Sequence, residues 1–283
     1  MIQATAFGRL SRDHVALTCF LVIIGYALVA LLAAGGLIAQ SWDAEVARSY
    51  APPSFESIRL MMGTDLLGRS VFYKVVHGAR IAMSVGLVSC LISIPVGVVL
   101  GGLAGYFGGR LDSMVVWLYT VVSSVPNILL LMGIAFVLGR GLPAIYVALG
   151  ATSWVAMARV IRGEVMRHKE REYVLAAKSI GAGNWACLFR HILPNVFHFV
   201  IIQFSIQFVV AIRSEVVLSF LGLGVQGQPS WGIMIDDSKL ELAQGVWWQL
   251  AGATAAMFFV ILAFNILGDT LRDVLDPRMR SMR

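Results

Sequence analysis

The 283 residues are 58% hydrophobic and only 13% charged, with a mean hydropathy of +0.80. A soluble domain carries about 45–50% apolar and about 25% charged residues, so a soluble cytosolic enzyme is excluded, and so is a solvated disordered coil. The net charge of +6 has to be read against topology before it is taken for nucleic-acid affinity.

The first apolar run, Val15 to Ala39, holds no Asp, Glu, Lys or Arg. At about 1.5 Å per residue it reaches about 37 Å, enough to cross a hydrocarbon core about 30 Å thick. It is about twice the length of a signal-peptide core and reads as a retained span. Residues 40–80 are more polar, contain Pro52-Pro53, and end in Val71, Phe72, Val75, Val76 and Ala79. That spacing predicts an amphipathic helix lying along the outer interface.

Further spans are expected at 81–107, 113–138, 142–158, 196–222 and 247–267, six in all. Lipid tolerates no bare backbone, and the runs are too long and too uniformly apolar for barrel strands. The fold class is therefore all-α, a polytopic membrane protein with about six transmembrane helices. Residues 1–80 form an N-terminal helix plus an extracytoplasmic segment, and 81–283 a core of five helices. In the second span Gly97, Gly101, Gly105 and Gly109 recur every four residues, a stripe for close helix approach, with sliding during gating as the functional alternative. In the third, Pro126 removes a donor and crowds the Val122 carbonyl, predicting a kink. Ser123, Ser124 and Asn127 can satisfy what the kink frees and suit a helix lining an aqueous route.

Between Arg159 and Asn195 lies a loop with seven basic and three acidic side chains. Glu172-Tyr-Val-Leu-Ala-Ala-Lys-Ser-Ile-Gly181 reads as a helix stopped by glycine, and Asn184 to Ile192 as a second helix stopped before Pro194. Such a hairpin at the membrane face suits docking into a cleft of a partner protein, the alternative being an ordinary basic loop. On the fifth span Gln203, Gln207 and Ser214 fall within about 40° of one another and make a polar stripe assigned to the pathway. Arg213 and Glu215 are the charges within this span. Snorkelling is the simple reading for Arg213, and a gate or structural hydrogen bond for Glu215. The outer loop 226–246 carries Trp231, Asp236 and Asp237, and Trp247-Trp248 reads as an interface anchor.

With the N-terminus inside, the cytoplasmic segments hold 14 Lys and Arg and the outer ones 7, which favours cytoplasmic termini. The basic balance is thus topology, and no nucleic-acid partner is expected. Cys19 and Cys90 fall in spans and Cys187 in the loop, so no disulfide framework is expected. No CxxC, HExxH or GxxxxGK[ST] occurs, so neither a metal site nor ATP binding by this chain is expected.

Ala176-Ala177, Gly181 and Leu193-Pro194 fall where the EAA loop of ABC importer permeases has its Ala-Ala, glycine and Leu-Pro. Leu175 replaces the general Glu, with Glu172 three residues earlier, and His191 replaces Ile. The chain resembles the dipeptide, oligopeptide and nickel branch of that superfamily. Gly63-Thr-Asp-Leu-Leu-Gly-Arg69, Gly78-Ala-Arg80, Glu215 with Leu218-Ser-Phe-Leu-Gly-Leu-Gly224, Ser230-Trp-Gly232, and Gly268-Asp-x-Leu-Arg272 through Asp276-Pro-Arg278 follow in the same order.

The resemblance implies an ABC importer type I permease fold in a bacterial inner membrane. It implies a coupling helix near 175–190 seated in a cytoplasmic ATPase, with Glu172, Ala176, Ala177, Lys178, Gly181, Arg190, His191, Leu193 and Pro194 as coupling residues. Ala176, Ala177 and Gly181 would allow close approach, and Lys178 and Arg190 would meet acidic groups. Pathway or gate candidates are Ser123, Asn127, Gln203, Gln207, Ser214 and Glu215. Trp231, Asp236 and Asp237 would face a binding protein. The implied partners are a homologous permease in a heterodimer, two ABC ATPase subunits or domains that carry ATP and Mg²⁺, an extracytoplasmic substrate-binding protein, and membrane lipid. The chain itself would carry no cofactor and catalyse no reaction. Peptides are the expected cargo, with nickel chelates or other small solutes as the alternative. An ion-coupled secondary transporter would show acidic groups or His in several spans and internal repeats, and a membrane enzyme a catalytic constellation. Neither pattern is found.

Overall fold

The computed structural model describes residues 13–275. The basic residues within 1–12 and the Asp276-Pro-Arg278 motif lie outside the described residues. Helix α1 spans His14–Ala34, its first amides accepted by the Asp13 carboxylate. Five helices among the described residues are long and apolar enough to cross a membrane, and a sixth crossing is a bent pair.

α2 runs unbroken from Val71 to Phe107, so the amphipathic stretch expected along the outer interface is the first two turns of the second span. Buried Val71, Val75 and Ala79 turn into the core there; the apolar stripe that suggested an interface faces protein. Gly97, Gly101 and Gly105 let α2 lie against α5 (Leu142–Lys169): a methyl group on Gly101 would strike the Ala158 carbonyl, and one on Gly105 the Arg162 carbonyl. The glycine stripe is packing. Gly109 does not belong to it, because it lies beyond the end of α2 with φ +57° and nothing within reach of an added Cβ.

The third span is broken rather than kinked. α3 (Gly109–Ser124) and α4 (Asn127–Leu138) meet at 88° across Val125-Pro126. Both residues are extended, as the residue before proline prefers. α5 continues eleven residues beyond the expected 142–158, with Arg167, His168 and Lys169 closing its last turn against the helix dipole. Much of the expected loop is therefore helix. After α6 (Glu172–Ser179), a helical stretch from Asn184 to Phe220 runs through Pro194 without a stop, and its longest regular part is α7 (Leu193–Phe220). At Cys187–Ile192 the turn widens, and the Leu193 amide reaches back five residues to Leu188. The wide turn relieves the clash that a proline ring makes with the carbonyl four residues before it.

The outer loop folds as α8 (Trp231–Ala243), and α9 (Trp248–Leu275) closes the bundle against α1, α2 and α7. The main core lies where α2, α5, α7, α8 and α9 meet, around Val75, Met157, Ile212, Trp231 and Val260. Tyr26 of α1 donates to the Ala256 carbonyl and meets Trp231 edge-on.

Candidate functional site

The break at Pro126 opens a concavity of about 420 Å³ between the α3–α4 corner, α5 and α7. Four of the predicted pathway residues, Ser123, Asn127, Gln203 and Gln207, line it together. Gln207 is buried, its amide donating to Ser93 Oγ and, at 3.1 Å, to the Ser153 carbonyl. Asn127 and Gln203 have no side-chain hydrogen bond to any described residue and stay open to the space.

α5 supplies a wall that the sequence reading left out: Thr152, Ser153, Val155, Ala156 and Arg159. Arg159, the expected start of the loop, stands nearly three turns inside α5, about 15 Å from its end. Nη2 donates to Ser123 Oγ at 2.9 Å, and the guanidinium lies 4.8 Å from the Tyr119 ring centre. The signal was legible: Thr152, Val155, Ala156 and Arg159 keep the i, i+3, i+4, i+7 spacing of one helix face. One turn on, Arg162 grips Asp112 with two parallel contacts, fastening the start of α3 to α5.

Ser214 and Glu215 are not part of this space. Glu215 is 1% exposed and accepts from Ser219 Oγ at 2.6 Å. It sits where α7 meets Gly224 and Gly232, which approach Ser219 so closely that neither has room for a methyl group. Its setting is a packed junction. Arg213 is exposed on another face of α7.

At the opposite end, α6 is pinned by buried Val174 and Ala177, while Leu175, Ala176 and Ile180 are exposed. Glu172 opens the helix, where its charge suits the dipole. Tyr173 bonds His168 Nδ1 at 2.8 Å, and burial pushes its phenol up. Gly181, at φ +94°, ends α6 with amides 181 and 182 returning to the carbonyls of 178 and 177. It serves the left-handed turn, and no described residue lies within reach of an added Cβ. Lys178 is turned inward, 5.4 Å from the Tyr106 ring centre, whereas Arg190 is exposed. Beside them Trp185 stacks on Phe189 with ring centres 5.7 Å apart and meets Phe107 at a tilt with centres 5.4 Å apart. His191 is half-buried, and Leu193 and exposed Pro194 lie within the continuous helix.

The end of the bundle away from α6 is organised by Asp65. Oδ1 accepts the Leu67 and Arg69 amides at 2.9 Å each, and Oδ2 accepts Arg69 Nε at 2.8 Å and Lys74 Nζ at 3.1 Å. Lys74 also donates to Gln249 Oε1 at 2.8 Å and lies 3.8 Å from Asp237. Burial alone would raise the Asp65 carboxyl, but Lys74 and the Arg69 contacts hold it below the usual range. Burial pushes Asp237 up, and Glu241, 3% exposed, is pushed by burial and by Asp237 and Asp65 up to about 7 against the pull of Lys74. Asp236 pairs with Lys239 at 2.6 Å. Trp231 is fully buried, its Nε1 donating to the Val75 carbonyl while Gly78 clears space for its ring. It is therefore a core residue, not one facing a binding protein. Trp248 likewise packs inward, bonding the Thr64 carbonyl at 2.9 Å, whereas Trp247 is exposed.

The family described as "Binding-protein-dependent transport system inner membrane component" matches residues 97–281. The chain is 37% identical to the dipeptide transport system permease protein DppC of Bacillus subtilis (strain 168), over 97% of this chain and 85% of that protein. It is 34% identical to the glutathione transport system permease protein GsiD of Pectobacterium atrosepticum, over 96% and 90%. It is 36% identical to the oligopeptide transport system permease protein OppC of Bacillus subtilis (strain 168), over 81% and 74%. Matched through most of its length and folded as a helical bundle with apolar membrane-spanning helices, the chain belongs to the inner-membrane permease family of binding-protein-dependent ABC importers.

Proposed function

We propose that this chain forms half of the translocation pathway of an ATP-driven importer of short peptides, paired with a homologous permease. The observation that carries the reading is the recess at the broken third span, where Ser123, Asn127, Ser153 and Gln203 offer neutral polar groups among apolar neighbours such as Val122, Ile206 and Val210. Relatives named for dipeptide, oligopeptide and glutathione transport agree on peptide cargo. An extracytoplasmic binding protein delivers the cargo, with the half-exposed Asp236 and Asp237 on the face it meets. ATPase subunits dock at α6, the EAA loop, through exposed Glu172, Leu175, Ala176 and Arg190 and the Trp185–Phe189 stack. The twofold excess of basic residues on the loop side supports cytoplasmic termini.

The test is uptake into proteoliposomes holding the complete complex and its binding protein, with labelled di- and tripeptides and a nickel chelate in parallel. ATP-dependent accumulation of peptide is expected. Accumulation of the chelate alone would contradict the peptide assignment, and uptake by this chain without the ATPase would contradict the whole mechanism.

A further inference from the structure

We propose that Arg159 forms a carboxylate subsite in the recess, holding the C-terminal carboxylate of a peptide in transit. Among the described residues, Arg159 is the one charged residue that lines the recess, and no acidic residue lines it. Arg159 has no carboxylate partner within 4 Å among the described residues, although Arg162, one turn on, is tied to Asp112. The Arg159 side chain is exposed to the recess, and a guanidinium presents a planar fork that matches a carboxylate in two parallel hydrogen bonds.

The side chain is also held ready. The guanidinium lies over the Tyr119 ring and Ser123 Oγ takes one donor, while its other donors bond no described residue. Asn127 and Gln203, with no side-chain bonds to described residues, stand along the same recess to meet the amides of the peptide. A volume of about 420 Å³ lies in the ordinary range for small-ligand sites. Two neutral amides and one cation fit a zwitterion whose amino end is left outside the subsite.

The inference rests on the peptide reading, and the experiment separates the two. Proteoliposomes carrying the complete complex are given binding protein preloaded to saturation with a dipeptide, either as the free acid or as its C-terminal amide, so that recognition by the binding protein does not enter the rate. The wild type is expected to move the acid faster. Arg159→Gln should slow the acid about tenfold or more, as loss of a charged hydrogen-bond pair implies, and slow the amide less than twofold. Arg159→Lys should recover part of the acid rate. Equal rates for acid and amide in the wild type, which requires no variant to fold, would overturn the subsite, as would an equal loss for both cargoes in Arg159→Gln. If the wild type moves neither cargo, the peptide reading fails and the subsite falls with it.

Discussion

Glu241 is the residue whose chemistry departs furthest from its type at the end away from α6. Its carboxyl is raised from 4.5 to about 7 by burial beside Asp237 and Asp65, so folding favours the protonated form. The stability it contributes is complete below about pH 4.5 and is lost as pH rises towards 7, because the folded state then holds a proton that the unfolded chain has released. Asp65 has the opposite sign: its carboxyl is lowered, and its contribution fades as pH falls. The difference between wild type and Glu241→Gln isolates Glu241. Melting curves of the solubilised protein between pH 4.5 and 8 should show the wild type losing stability relative to the variant across that window, and parallel profiles would contradict the assignment. Single residues were only partly legible in the sequence. Gln203, Gln207, Ser123 and Asn127 were grouped by periodicity and one proline, and they do meet. Trp231 was misplaced because an aromatic in a polar loop has the same local signature whether it faces water or fills the core. Its burial depends on Gly78, 153 positions earlier.

Among the elements, the α2–α5 pair depends on absent side chains. Gly101 and Gly102 are neighbours, but an added methyl at 101 meets the Ala158 backbone, while at 102 it makes ordinary contact with Leu188 and Leu193. Gly101→Ala should therefore destabilise by about 1–3 kcal/mol through overpacking. Gly102→Ala should be neutral or gain up to about 1 kcal/mol from helix propensity. Thermal unfolding of the two variants checks this, and equal shifts would refute the packing role. Element boundaries were the least legible feature. A charged stretch such as 159–169 signals exposure to water, not the end of a helix, so α5 ran on where composition suggested a loop. Pro194 signals a stop only if the turn before it stays α-helical, and the wide turn at Cys187–Ile192 removes that condition.

The whole molecule reads as one side of a passage, with a recess of mixed polar and apolar lining at the broken span, an ion-paired cluster at one end, and α6 at the other. Class and spans followed from composition because lipid leaves few choices for backbone hydrogen bonding. The recess did not, since it is made by an 88° break between α3 and α4 and by Arg159, one residue beyond the expected span. Its role as the route is tested most directly by Gln203→Cys in the assembled complex, probed with a membrane-impermeant thiol reagent. The native cysteines Cys19, Cys90 and Cys187 are all buried and give little background. Labelling that changes in rate with ATP and with loaded binding protein is the predicted result. A position 203 that never reacts from the aqueous phase, in any nucleotide state, would contradict the account.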